Sequence, residues 1–519
     1  MNDNLDETLP LSPAVMSLRA LLPQGLDSLP AKVRRPLERD DYSAALKAAN
    51  EFYADKGAED RVAALTYAVL LVGRSLIDEA QGVLRRALSY HAQDVALQLV
   101  QIEALIVSGA FEPAVALLDA LTRVSTIEPR QWRFMGDMHL DMGSEEAAID
   151  CYELALDQGL DDADLAYQLG QIYTEREELD AAARHLHHAA RLAPKSLRIW
   201  EAAADALFNI GEFEEAIYAY KRVLKRDPYN VRIWLYLAMA HGELSHFDEG
   251  VDALKEVTSL EPHHAFAWIQ LGHMQMAVGH PGEALGNYRK ALQLEPEDLD
   301  ALGGAVGAAF ELGDVQEAET LARKAVQIDL DHPESHYNLG VILLTLRRAK
   351  DAYEHLKIAA QAFPDDARFL ASLALCEVML DYRDDALVHI RQAAAEGAPT
   401  DLVATFVEEL LKRRELDVAL AFLEEKSLDD PTWHAVSPML AFLGHGLKGE
   451  TGEALGFMDG FVDVLQREPQ VVPLMWDFDE LERLSLGLND ELRKIFIMMV
   501  SVVEGRNDLN NLESMSRPS

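Results

Sequence analysis

The sequence predicts an all-α solenoid of stacked helix–turn–helix repeats. Three observations predict it. Trp200, Trp234 and Trp268 stand 34 residues apart, and so do Pro194, Pro228, Pro262 and Pro296. Within each interval, apolar residues recur at helical spacing twice, on either side of a break. In the interval 197–230, Trp200, Ala203, Ala204 and Leu207 mark a first helical face. Gly211 breaks the pattern, Ala216, Tyr220 and Val223 mark a second face, and Pro228 closes it. The apolar faces of such a pair are too broad to bury against each other alone, so neighbours must stack on both sides.

The elements follow in chain order. Residues 1–14 are polar, acidic and interrupted by proline, which predicts disorder. Residues 15–60 read as an irregular helical N-terminal cap, with Pro23, Pro30 and Pro36 as breaks and Asp40–Phe52 as a repeat-like helix. An end repeat needs such a cover, because one of its faces would otherwise lie open to water. Residues 61–400 hold ten consecutive repeats without insertion, starting at Arg61, Val95, Pro129, Ala163, Leu197, Val231, Ala265, Leu299, Pro333 and Ala367. A small residue keeps one second-helix position throughout: alanine from Ala80 to Ala386, with Gly250 as the exception. The first two repeats have Ala64 and Gln98 in place of the aromatic that Trp132, Trp200, Trp234 and Trp268 supply later. The first helix at Leu299 contains Gly303, Gly304 and Gly307. Each glycine costs about 1 kcal/mol relative to alanine inside a helix, so three of them predict close backbone approach or a soft point. Residues 401–469 read as two degenerate repeats. Residues 470–505, with a helical pattern from Trp476 to Val503, read as C-terminal capping helices, and 506–519 as a flexible tail.

The aromatic, small, glycine, alanine, aromatic and proline positions of 197–230, and the register they keep, resemble the tetratricopeptide repeat (TPR), in multi-repeat scaffolds of the bacterial type. The resemblance is strict over about two thirds of the chain and looser over most of the rest. It implies a right-handed superhelix and an adaptor or scaffold that binds a protein or peptide segment in its concave groove.

Composition narrows the partners. The chain carries 88 acidic against 47 basic residues, a net charge of −41, which repels nucleic acid and anionic membranes at long range. That acidity also keeps a long apolar stack soluble. The longest apolar run, Ile495–Val503, is far too short to span a bilayer. Cys151 and Cys376 lie several repeats apart in helical apolar patterns, which predicts free buried thiols, a reducing compartment and a cytoplasmic protein.

Signatures of chemistry do not stand out. The glycines at 303–307 follow no strand and precede no GK[ST], so they do not form a phosphate loop. No CxxC occurs. His185, His187 and His188 share one helix and read as a solvated face, and His263 and His264 as turn residues. No carboxylate pair singles itself out in so acidic a chain. The expectation is therefore no catalytic residue, no cofactor and no metal.

The resemblance also implies which residues line the groove: the second, fifth, ninth, twelfth and thirteenth positions of each first helix. Among these, Arg130, Arg133, Arg198, Arg232, Leu235, Met239, Phe266, Ile269, Met276, Phe310 and Tyr337 are the candidates for partner binding. Arginine binds carboxylates through two parallel hydrogen bonds, and an exposed apolar patch marks an interaction site. Two bland readings stand beside these: each arginine pairs with an acid of the adjacent repeat, or some apolar candidates belong to the core. A lysine- and asparagine-rich clamp for a C-terminal carboxylate is not matched, because its positions are mostly apolar or acidic here. Leu65, Val69, Leu99 and Ile106 form an apolar N-terminal stripe that the cap is expected to cover. Two further roles stay open: a regulatory or substrate-recruiting subunit of a separately encoded modifying enzyme, and a self-associating structural oligomer. The oligomeric state is not legible in the sequence.

Overall fold

The computed structural model describes residues 13–22, 24–123, 127–425, 428, 430–469 and 478–516. The stretch 1–12, most of the segment expected to be disordered, lies outside the described residues, as do 470–477 with Trp476. Every element among the described residues is helical. The chain divides into two compact units, 1–244 and 245–519, and the boundary falls between the two helices of the repeat at Val231.

Each of the ten first helices (A helices) begins on the residue expected, from Arg61 to Ala367. The signal that starts them sits one residue earlier, in a position the periodicity does not report. Asp60, Asp94, Asp162, Asn230, Asp298 and Asp366 accept a hydrogen bond from the backbone N–H three residues on. His264 and His332 do the same through Nδ1. Each satisfies an N–H that the helix leaves without an internal partner. The break after each A helix is equally regular. The fifteenth residue of every repeat has positive φ, whether it is Gly211 or Gly279, or a residue with a side chain such as Glu177 or Arg347. That conformation lets the chain reverse into the second (B) helix.

The A and B helices of a repeat meet through a size match. At the eighth position of four repeats stands glycine, and a Cβ there would collide with one B-helix side chain. The gap would be 2.3 Å from Gly136 to Tyr152, 2.6 Å from Gly170 to Leu186, 2.6 Å from Gly272 to Tyr288 and 2.5 Å from Gly340 to Leu356. The repeat at Leu299 inverts the sizes: Val306 stands in the register of these glycines, and Ala322 in that of the tyrosines and leucines. The three tyrosines then reach past the glycine or alanine and hydrogen-bond the ninth residue: Asp137, Asp205 and His273. At the fourth position Trp234 and Trp268 donate Nε1–H to the carbonyls of Pro228 and Pro262, each at 2.9 Å. In these two repeats the proline carbonyl therefore anchors the tryptophan.

The first unit begins with the helices Pro13–Leu21, Ala31–Leu37 and Tyr42–Lys56. Val15, Leu18, Leu21 and Leu22 join one core with Leu65, Val69 and Leu99, so the N-terminal segment covers the apolar stripe. In the second unit the helices Thr400–Lys412, Leu416–Glu425, Pro431–Lys448 and Thr451–Arg467 follow the last repeat. Helix Asp490–Val503 packs on Pro431–Lys448, with the Phe442 and Phe496 rings 6.1 Å apart. Leu509–Ser516 corrects one expectation. It falls in the stretch read as a flexible tail, yet it is a helix packed on Thr451–Arg467 and Asp490–Val503, with Leu512 fully buried. A short polar stretch carries too little apolar periodicity to announce a helix that one leucine anchors.

Candidate functional site

The candidates fall into both units, and the A-helix face of each is built differently. In the first unit the arginines separate into two kinds. Arg232 bonds the carboxylate of Asp205 at 2.9 Å and reaches Glu201 at 3.4 Å, and Tyr220 donates to the same Asp205. Arg133 pairs with Asp162. These two act as struts between adjacent repeats, as does Arg368 of the second unit with Asp366 and Glu334. Arg198 stands at the position equivalent to Arg232 but has no carboxylate partner among the described residues. Its guanidinium lies 4.5 Å from the centre of the Tyr167 ring, and it is exposed. Arg130 is also exposed and has no acidic partner among the described residues. Leu235 and Met239 are half-buried.

The sequence explains the difference between Arg198 and Arg232. The carboxylates that hold Arg232 are the fifth and ninth residues of the preceding A helix. One repeat earlier those positions are Tyr167 and Gln171, so Arg198 meets a ring instead of an acid. Removing Arg232 and Arg198 should therefore have unequal effects. Arg232→Ala is expected to lower stability by about 0.5–1 kcal/mol, the range of partly exposed ion pairs. Arg198→Ala should stay within about 0.5 kcal/mol of wild type. Urea unfolding of the two variants checks this, and equal losses would mean that Arg198 also carries structure.

In the second unit, Phe266 and Phe310 are 43 % and 37 % exposed, while Met276 and Tyr337 are half-buried. Tyr337 packs on Phe369 with ring centres 4.7 Å apart, and burial pushes its hydroxyl pKa up. Ile269 does not belong with them. It is 3 % exposed and sits in the core of this unit, because the fifth position of its helix turns inward against its neighbours. An acidic residue there would test the core rather than the face. Between these side chains the A helix Leu299–Glu311 offers little but backbone. A Cβ on Gly307 would meet nothing within 4 Å, and one on Gly303 only the Asn338 amide at 3.9 Å. Gly304, one residue along, is a true close approach, since its Cβ would lie 2.4 Å from the Tyr288 ring. The triple glycine therefore combines one packing requirement with two open positions.

A polar chain adjoins this floor. The Tyr288 hydroxyl and His273 Nδ1 are 2.9 Å apart, and His273 Nε2 is 3.1 Å from Asp300. The hydrogen bond from His273 holds the Asp300 carboxyl below the ordinary carboxylate range. His185 instead stacks on Tyr173, with ring centres 5.5 Å apart. Among the described residues no group of three or more His, Cys, Asp or Glu side chains is placed to hold a metal ion. No helix among them is long and apolar enough to cross a membrane.

These features define the class. Ten 34-residue helix–turn–helix repeats, each turning at a residue with positive φ, are a tetratricopeptide-repeat array. The tetratricopeptide-repeat family model matches residues 275–337 and 309–376. The model of the C-terminal TPR domain of cilia and flagella-associated protein 70 matches residues 112–255. Among solved structures, the chain is similar to MamA at 21% identity, over 31% of this chain and 94% of that one, with a TM-score of 0.29. It is similar to YrrB, a TPR protein with an unusual peptide-binding site, at 18% identity over 36% and 96%, TM-score 0.32. Cut9, from the APC/C hetero-tetramer Cut9–Hcn1, is similar at 16% identity over 93% and 99%, TM-score 0.35. Likenesses this distant carry no inference about partners. A search of the curated proteins finds no match. The family places the chain among protein–protein interaction scaffolds.

Proposed function

We propose that the protein is a non-enzymatic scaffold that holds an apolar-anchored segment of a partner protein against its A-helix face. The main seat lies in the second unit, on the A helices starting at Ala265, Leu299 and Pro333. The bare backbone at Gly303 and Gly307 carries the reading. Glycine inside a helix is destabilising, and neither of these two is required by a neighbouring side chain. They do leave a floor that a second chain can approach closely. Phe266, Met276, Phe310 and Tyr337 are the apolar groups such a chain would cover. In the first unit, Arg198 is free to take a carboxylate of a partner.

Gly307 supplies the test. Gly307→Ala should keep the partner, and Gly307→Trp should fill the floor and reduce its recovery at least tenfold, with helix content unchanged in both. Co-purification with wild-type protein, followed by mass spectrometry, identifies the partner to be scored. If Gly307→Trp recovers it at the wild-type level, the A-helix face of the second unit is not the seat.

We further infer a reducing, cytoplasmic setting, since Cys151 and Cys376 are buried free thiols pushed up to about 12 by burial. Recovery of the protein mainly outside the cytoplasm on cell fractionation would refute it.

A further inference from the structure

In the first unit the helix Pro13–Leu21 lies across three consecutive A helices. It packs on Arg61–Val72 and Pro129–Asp141, and between them Ser17 Oγ donates to Glu103 Oε1 of Val95–Val107 at 3.1 Å. This is where a helical ligand of a repeat array would lie, and the apolar seam of Val15, Leu18, Leu21 and Leu22 is what it would present.

The seat is imperfect at its centre. Glu103 Oε2 is buried without a hydrogen-bond partner, and burial pushes the carboxyl up to about 7, against the lowering effect of the Ser17 bond and with Asp141 raising it further. A buried acceptor left unpaired is destabilising. An equivalent pair elsewhere in the array is bonded directly. Glu103 and Arg130 stand in the same register as Asp205 and Arg232, which bond at 2.9 Å three repeats on. Here Ser17 holds the carboxylate, and Arg130 has no acidic partner among the described residues. Beside the helix opens a cavity of about 980 Å³ lined by Arg19, Gln24, Glu103, Arg130, Asp137 and Asp141. The bound helix therefore leaves both charge and space unfilled.

We propose that Pro13–Leu21 is a displaceable internal occupant of a helix-binding face, and that the displacing partner is a basic amphipathic helix. That partner repeats the apolar seam and places a lysine or arginine where Ser17 now meets Glu103. Its cation satisfies the carboxylate that a serine hydroxyl leaves half-paired, and a burden of further positive charge suits Asp137 and Asp141 at the cavity wall. The proposal stands apart from the seat in the second unit.

Hydrogen exchange of the full-length chain tests it, with synthetic peptides of residues 13–22, unmodified and carrying Ser17→Lys, as probes. Residues 13–22 should exchange faster than the helices of 61–141. The Ser17→Lys peptide should speed exchange of 13–22 at a concentration at least tenfold lower than the unmodified peptide, with protection over 61–141 unchanged. In a Glu103→Gln chain the two peptides should act alike. Protection over 61–141 reports that each chain is folded. The proposal is overturned if neither peptide alters exchange of 13–22 at saturating excess, if both act equally on the wild-type chain, or if the lysine advantage survives Glu103→Gln.

Discussion

Trp200→Ala is expected to unfold the helices around it at a cost of about 3–5 kcal/mol, the range for truncating a buried aromatic to alanine. The indole is 4 % exposed, meets the Tyr218 ring edge-on at 6.0 Å, and lies under the Arg222 guanidinium at 4.6 Å. Both contacts tie the A helix Leu197–Asn209 to its B helix Phe213–Leu224. Unlike Trp234 and Trp268, it gives no hydrogen bond to a proline carbonyl, so the loss is almost wholly one of packing. Coupling in a repeat array runs between neighbours. The effect should therefore appear as lost amide protection over 163–243, decaying toward 95–128, rather than as one global transition. Wild-type protection across 163–243 would show that this tryptophan does not hold the pair together.

The second large effect centres on Tyr288, whose ring fills the space above two glycines on consecutive A helices. A Cβ on Gly272 would lie 2.6 Å from it, and one on Gly304 2.4 Å. Tyr288→Ala should cost about 3–5 kcal/mol. It should also reverse the sign of a second change. In the wild-type chain Gly304→Ala destabilises, because overpacking by about 1–3 kcal/mol outweighs the gain in helix propensity of about 1 kcal/mol. With Tyr288→Ala the collision is gone, and Gly304→Ala should stabilise. Gly307→Ala, whose Cβ meets open space, should stabilise by about 0.5–1 kcal/mol in either background. A double-mutant cycle measured by denaturant unfolding reads the coupling directly. Additive effects of Tyr288→Ala and Gly304→Ala would mean that the ring and the helix backbone do not share this contact.

Much of the molecule is determined locally and was therefore legible. Helix pairs, their length and their starting residues follow from apolar spacing and the 34-residue period, because a helix is set by residues within a few turns of one another. The capping residues before the A helices belong to the same local code, and Asp60, Asp94 and Asp298 announce it in hindsight. The fifteenth position is legible where it is glycine and hidden where it is Ser75, Glu177 or Arg347, since the turn imposes positive φ whichever residue occupies it.

Tertiary structure decided the rest. Position in the repeat assigns a side chain to the A-helix face, but not what that side chain meets. Arg198 and Arg232 share a position; one stacks on Tyr167 and the other is held by Asp205, because the preceding repeat supplies a different partner. Ile269 and Phe266 lie three residues apart on one helix, yet the first is buried and the second exposed, since neighbouring helices bury one edge of the face and leave the other open. Glu103 shows the same limit most sharply. Its sequence position pairs it with Arg130, and only the fold brings in Ser17, 86 residues away, to take the carboxylate instead. Burial and charge pairing are sums over neighbours in space, and a period along the chain fixes only those neighbours that repeat with it.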